Sequence, residues 1–362
     1  MKILHLIHDH PAHPTIGGGG GVRVRELATR LASRGHELHI VSGWFEGCEA
    51  HSEYAPGCRV TFLGPHRRPA CKAVEYAMAV WPRLPDLAKD ADLVIEDFSP
   101  YWPIGAYRLQ NQGKAVILQI QNYVGTQLFK RHGLAGLPLY LIEKWYPRLF
   151  RHHILVGDHL QVRYRAGQDT RVIPNGFTME SDDITTPPSQ DYIAYLGRID
   201  FNQKGLDVLL EALQGTDLPV WFAGMGRETD RLRNAVRALP RCKVLGAVHG
   251  AEKWRFLRNA RFMALPSRFE GQPIVAIEAA AAGTPILASS IPELDFITES
   301  GIGRQFASLE STTLRSALIS LWEDHETLEN LRTSGLHFSS DRTWDHIADK
   351  FEAALEAAVA NP

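Results

Sequence analysis

Only four cysteines occur in 362 residues, at Cys48, Cys58, Cys71 and Cys242, and no two are spaced as CxxC. Such spacing argues against a disulfide framework and against a cysteine-ligated zinc site. No apolar run reaches the roughly 18 residues of a spanning helix. The opening MKILHLIHDH is too short, and too soon interrupted by His and Asp, to read as a signal peptide. The simplest address is therefore a reducing cytoplasm. A large charge of either sign is also missing: 39 Lys and Arg face 41 Asp and Glu, a net charge of −2 that carries no nucleic-acid signature.

What is present is enough chain for two domains, at roughly 100 to 200 residues each. The charge is unevenly spread. Residues 1–180 hold 21 basic and 16 acidic side chains, and residues 181–362 hold 18 and 25. The first half is thus the one suited to an anionic surface or ligand, unless the difference is scatter.

Short apolar runs alternate with helical periodicity, the pattern of βα repeats that build parallel sheets. KILHLI, ELHIVSG, CRVTFLG, ADLVIED, KAVILQI, HHILVG and RVIPNG read as strands of a first unit, with VRVRELATRLASRG as its first amphipathic helix. Residues 178–190, TMESDDITTPPSQ, are polar, hold Pro187 and Pro188, and read as a linker. The pattern then restarts with DYIAYLG, LPVWFAG, CKVLG, RFMALPS and TPILAS as strands. The predicted domains are 1–177 and 191–342. A closing amphipathic helix over 343–362 has no strand after it.

Several stretches carry chemistry. Glycines 17–21 lie between the first strand and its helix, where bare backbone N–H groups suit a phosphate or a sugar hydroxyl, although a glycine loop without a ligand reads the same way. GRIDFNQKG places Arg198 and Lys204 after a strand, two cations able to neutralise a diphosphate or simply to face solvent. In SRFEGQPIVAIEAAAAGTPILAS, Glu270 precedes a helix predicted from Pro273, and Glu278 falls inside an apolar run. A buried carboxylate there requires a dedicated partner. His5, His8, His10 and His13 read as strand-end and loop histidines rather than metal ligands. The stretch LFKRHGLAGLPLYLIEKWYPRLFRHH, residues 128–153, interleaves Lys130, Arg131, Lys144, Arg148 and Arg151 with Phe129, Trp145, Tyr146 and Phe150. It reads either as a helix lying on an anionic membrane or as one with an aromatic core face and solvated cations.

The 267–289 segment resembles the signature of glycosyltransferase family 4, a group of retaining, nucleotide-sugar-dependent enzymes. The glycine loop before LATRLASRGHEL, VIPNGF, GRIDFNQKG, FAGMG and LPSRFEG agree with it in order and spacing. The resemblance implies a GT-B fold, with two Rossmann-like domains facing each other across a cleft and the last helix returning to the first domain. It implies transfer from a nucleotide diphosphate sugar, a UDP-sugar by default, to a hydroxyl of a glycan, lipid-linked or small-molecule acceptor; with two cations to neutralise the diphosphate, the transfer is expected to be metal-independent. Glu270 would bind donor-sugar hydroxyls and Glu278 the ribose. Arg198 and Lys204 would hold the diphosphate, capped by backbone at Gly271, Gln272, Pro273 and Ile274. Gly18 and Gly19 match the family's glycine pair; Gly224, Met225 and Gly226 would line the nucleotide pocket, with Val248 and His249 near the base. Many relatives carry a histidine where DLVIED ends in Asp97. That residue would be a general base, a positioning group, or a helix cap before Pro100, with Gln121 and Asn122 as rivals for the same space. An epimerase, a phosphorylase or a non-catalytic nucleotide-sugar-binding subunit would share the architecture.

Overall fold

The computed structural model describes residues 1–10, 18–49, 51–64, 72–164, 169–179 and 191–362. Gly17, His13, Cys71 and the 180–190 part of the predicted linker lie outside the described residues. The chain forms two compact units, Met1–Asn175 together with Trp344–Pro362, and Gly176–Thr343.

The first unit is built on strands β1 (Lys2–Leu6), β2 (Glu37–Gly43), β3 (His51–Ala55), β4 (Cys58–Leu63), β5 (Leu93–Asp97), β6 (Ala115–Ile120), β7 (His152–Leu155) and β8 (Asp169–Val172). They pair in the order β3-β4-β2-β1-β5-β6-β7-β8, all parallel except the β3–β4 edge. Strands covered on two faces are mostly apolar, and β5 and β6 are buried throughout, the polar Glu96, Asp97 and Gln119 at their carboxyl ends included. One face packs Leu4, Leu6, Val94, Val116 and Leu118 against Tyr76 and Val80 of the helix Lys72–Val80. The helix Gly19–Ser33 buries Val24, Leu27 and Leu31. It meets the final helix, Trp344–Ala360, through Arg30–Asp345, Arg34–Asp349 and Arg34–Glu352 ion pairs at 3.0, 2.6 and 2.6 Å.

In the second unit β9 (Tyr192–Leu196), β10 (Val220–Ala223), β11 (Lys243–Gly246), β12 (Ala260–Leu265), β13 (Ile286–Ser289) and β14 (Gly303–Phe306) form a parallel sheet in the order β11-β10-β9-β12-β13-β14. Side chains alternate between faces with the period of two that a strand imposes. Ile193, Tyr195, Phe222 and Phe262 pack toward the helices Leu206–Leu213 and Ser311–Glu323. Tyr192, Ala194, Met263 and Ile286 pack toward Gly250–Arg258 and Ile274–Ala281. Phe177 N–H donates to the Arg342 carbonyl at 3.1 Å, tying the start of this unit to its end.

Three sequence readings change. β3 and β14 were not read as strands: HSEYA and GRQF are short, polar edge segments with no apolar alternation. RVIPNG is strand only over its first two residues, because Pro174 has no N–H to donate. Residues 128–153 are not one helix. The chain runs as Gln127–His132, Gly133–Gly136, Leu137–Trp145 and Tyr146–Leu149, interrupted at Gly133 in the left-handed region (φ 57°) and again where Pro147 starts a tighter turn.

Candidate functional site

In an open parallel sheet, ligands collect beyond the carboxyl ends of the strands, at the point where the strand order reverses. That point lies between β1 and β5 in the first sheet and between β9 and β12 in the second. Buried carboxylates stand near both points, Asp97 in the first unit and Glu270 in the second.

In the second unit, the segment after β9 carries Arg198 and Lys204, and the segment after β12 carries Glu270. Lys204 Nζ is 2.5 Å from Glu270 Oε1, which also accepts from Ser267 Oγ at 2.6 Å. Both partners are largely sequestered, with side chains 12% and 6% exposed, so this pair is screened far less than a surface ion pair. Lys204 closes a one-turn helix, Phe201–Lys204, capped by the Asp200 carboxylate on Gln203 N–H at 2.9 Å. The two segments are laced together: Arg268 N–H donates to Gln203 O at 2.8 Å, and the Arg268 guanidinium reaches the Phe201 carbonyl and, as a fork, the Asp207 carboxylate. Burial acts on Asp207 against its pairing with Arg268; the pairing prevails and lowers the carboxyl below its ordinary value. Arg198 is exposed and donates to Gln203 Oε1 at 2.6 Å.

Gly224 follows β10 at φ 132°, and a Cβ there would fall inside the Gly197 carbonyl, so the two strand-end turns touch backbone to backbone. Gly226 N–H donates to Thr229 Oγ1 at 2.9 Å, and Met225 is 53% exposed at the rim. Gly271, Gln272 and Ile274 are half-buried and Pro273 is buried, preceding the helix Ile274–Ala281 as read from the sequence. Glu278 is 9% exposed within that helix, and Lys253 Nζ supplies its partner at 2.6 Å. Val248 is buried, and His249 is exposed just before the helix Gly250–Arg258.

In the first unit, Asp97 ends β5 with 4% exposure and its carboxylate is enclosed. Gln119 Nε2 donates to both oxygens at 3.0 and 2.9 Å, Gln121 Nε2 to Oδ1 at 2.5 Å, and His5 Nε2 bonds Oδ2 from the neighbouring β1. The helix-cap reading fails, since these partners come from strands and a strand end. A carboxylate only accepts, so Gln121 turns its amide nitrogen to Asp97 and its carbonyl Oε1 is the end left uncommitted. Gly20 lies against that carboxamide; a Cβ there would sit 3.2 Å from both of its terminal atoms. Gly18 precedes the helix and Gly19 opens it. Asn122 is exposed.

Sequence reading missed how far this hub extends. Arg23, seemingly a surface cation of an amphipathic helix, has no exposure; it donates to Gln119 Oε1 at 3.2 Å, Asn175 Oδ1 at 3.1 Å and the Pro174 carbonyl at 2.8 Å. Burial lowers its pKa to about 10, with the Asp97 charge opposing, so it stays protonated at neutral pH. The i, i+4 positions of Arg23 and Leu27 on the helix's buried stripe were the available signal. Glu96, adjacent in sequence, points the other way. Its oxygens take N–H bonds from Ile104 and Ala106 and the Tyr146 hydroxyl, and burial raises its pKa.

His8 packs on Trp102 at 4.8 Å between ring centroids, and His10 lies among Phe45, Tyr54 and Phe62. Burial, then the nearby Arg25, lowers the His10 pKa to about 4. Among the described residues, no three His, Cys, Asp or Glu side chains group to hold a metal ion, and no helix is long and apolar enough to cross a membrane.

Two family models match in sequence order: Glycosyltransferase Family 4 over residues 17–181 and Glycosyl transferases group 1 over residues 190–324. A phosphatidyl-myo-inositol mannosyltransferase of Mycobacterium leprae is 28% identical over 208 residues, covering 54% of this chain and 55% of that protein; the chain thus spans about half the length of this curated relative. In structure the chain resembles sucrose-phosphate synthase from Thermosynechococcus elongatus (TM-score 0.83, 20% identity, all of both chains). It also resembles Anabaena HepE in complex with UDP-glucose (TM-score 0.71, 17% identity, 99% of this chain and all of that one). These likenesses give the fold as GT-B, with two parallel-sheet α/β units. The chain belongs to glycosyltransferase family 4.

Proposed function

We propose that the chain is a retaining glycosyltransferase that moves a sugar from a nucleotide diphosphate sugar, a UDP-sugar by default, to a hydroxyl acceptor. The observation that carries this reading is the sequestered Lys204–Glu270 pair at the β9/β12 reversal. An ammonium held by one carboxylate and edged by a turn of close backbone is ready to take a diphosphate as its second anionic partner. There it would stabilise the charge that grows on the departing group. Arg198 would add a second cation from the rim and Glu270 would hold sugar hydroxyls. Glu278 would hold the ribose, and Gly224, Met225 and Gly226 would line the nucleotide with Val248 and His249. Backbone at 271–274 would cap the phosphates, and Gly18 and Gly19 would approach the donor from the first unit.

Asp97 serves in this reading as a positioning residue. With its oxygens committed to Gln119, Gln121 and His5, it would orient the Gln121 carboxamide toward a substrate hydroxyl rather than act as a nucleophile. Glu96 is equally committed. With both carboxylates held by donors, a front-face displacement is favoured, in which the leaving diphosphate helps to take the acceptor proton. A glycosyl adduct trapped on Asp97 or Glu96 would overturn it.

HepE bound to UDP-glucose supports the uridine donor by likeness of fold. The M. leprae relative's name makes a lipid-linked acceptor one of the options, and the basic stretch 128–153 would bring the enzyme to the inner face of a membrane. Thermal-shift screening of nucleotide sugars tests the donor assignment, since a ligand of the native state raises its melting temperature by mass action. A UDP-sugar should rank first. Stabilisation by none of the uridine, guanosine, thymidine or adenosine diphosphate sugars would refute the proposal, and net conversion of a donor into its epimer without acceptor would replace it.

A further inference from the structure

We infer that the face of the first unit formed by residues 130–163 docks on an anionic phospholipid bilayer, and that Lys144, Arg148 and Arg163 hold a lipid phosphate in a pocket there. The inference deepens the peripheral membrane contact proposed above and does not depend on the transfer reaction.

The pocket has a volume of about 440 Å³, and Trp145, Val162 and Tyr164 line it beside the three cations, with no carboxylate among the described residues of its wall. Arg163 comes from the helix His159–Arg163, outside the segment that sequence alone singled out. Both guanidiniums are stacked, Arg148 at 4.1 Å over the Trp145 ring and Arg163 at 5.4 Å over Tyr123, which restricts their rotation before any anion arrives. The one acid of the helix Leu137–Trp145, Glu143, is turned inward and accepts from Val124 and Gly125 N–H, each at 2.7 Å. Across 127–163 there are six Lys and Arg against Glu143 and Asp158.

Trp145 and Val162 at this anion site, with Leu134, Leu137 and Leu141 from the same stretch of chain, are apolar side chains left about half or more exposed. Leu137, Leu141 and Trp145 recur at i, i+4 and i+8 along one helix face and are 48%, 45% and 54% exposed; Leu134 and Val162 reach 90% and 85%. An acidic protein partner would need these residues to form a shaped recess. Here Leu134 and Val162 project singly and Leu137, Leu141 and Trp145 form one short convex stripe beside cations, the arrangement that lets apolar side chains enter the headgroup and acyl boundary while the charges remain with the phosphates. Charge and protrusion together therefore select a bilayer.

The test is co-sedimentation of the full chain with vesicles of phosphatidylcholine alone and of phosphatidylcholine mixed with phosphatidylglycerol. Binding should require phosphatidylglycerol and weaken as salt is raised. Replacing the three cations together, Lys144→Gln, Arg148→Gln and Arg163→Gln, should weaken it by about a hundredfold. Leu134→Ser with Trp145→Ser should also reduce binding while leaving its salt dependence in place. The proposal is overturned by equal binding to both vesicles, by an unaltered triple variant, or by a wild type that ignores vesicles yet is stabilised by inorganic phosphate through the same cations, which would make the pocket a soluble-anion site. Nucleotide-sugar thermal shifts on the same folded variants read the donor site separately, so the two proposals fail independently.

Discussion

The two sheets place a carboxylate at the same topological position and surround it differently. Asp97, beside β1, is boxed in by two carboxamides and an imidazole, whereas Glu270, beside β12, faces the Lys204 ammonium and one hydroxyl. A carboxylate saturated by fixed donors from strands and strand ends is an element of construction, and nothing need change when a ligand arrives. A carboxylate paired with a flexible lysine can share its partner, because an incoming anion completes the coordination of the cation rather than displacing it. The second unit is in this sense chemically poised, and the first is preorganised.

Breaking the poised side has the largest expected effect. Lys204→Ala should cost at least a hundredfold in turnover, about 3 kcal/mol of transition-state stabilisation, with an unchanged circular dichroism spectrum. Near-normal transfer by the folded variant would dissolve the contrast. On the preorganised side, Asp97→Asn sets an amide N–H₂ against donors that formerly met oxygens. It should lower stability by about 2 kcal/mol in urea titration, and an unaltered midpoint would show that the hub is not structural. Gly224→Ala drives a methyl into the Gly197 carbonyl and should cost about 1–2 kcal/mol while weakening nucleotide binding; a loss of stability with affinity intact would separate that turn from the donor site.

The last effect is a pH dependence that the first unit's histidines add. Burial, followed by neighbouring cations, lowers the pKa of His10 to about 4, and of His39 likewise, there with Arg59 and His51. Between pH 6.5 and 4 the unfolded chain takes protons that the native state refuses, so stability falls across that window and the contribution levels off below it. His10→Phe, matched to its ring neighbours Phe45, Tyr54 and Phe62, should flatten part of the slope. A parallel slope in the variant, followed by thermal melts across the window, would assign the acid sensitivity elsewhere.

Much of this was legible in the residues. Apolar runs marked most of the strands, and the apolar run around Glu278 announced that this carboxylate required a dedicated partner. Which lysine supplies it was not legible, since Lys253 lies 25 residues away on a helix whose placement depends on strand order. The same limit hid the Asp97 hub: His5, Gln119 and Gln121 are up to 92 positions distant and meet only because β1, β5 and β6 are adjacent. β3 and β14 escaped because an edge strand solvated on one side needs neither alternation nor apolar content.

The helix Trp344–Ala360 belongs to the unit formed by the first 175 residues, and the second unit is inserted between them. During synthesis the ribosome therefore finishes Gly176–Thr343 as a continuous stretch before it releases the segment that carries Asp345, Asp349 and Glu352 to Arg30 and Arg34. The unit begun first is completed last. A nascent chain halted before Trp344 would hold every strand of both sheets and still leave uncovered the apolar stripe on which Phe351 and Leu355 come to rest.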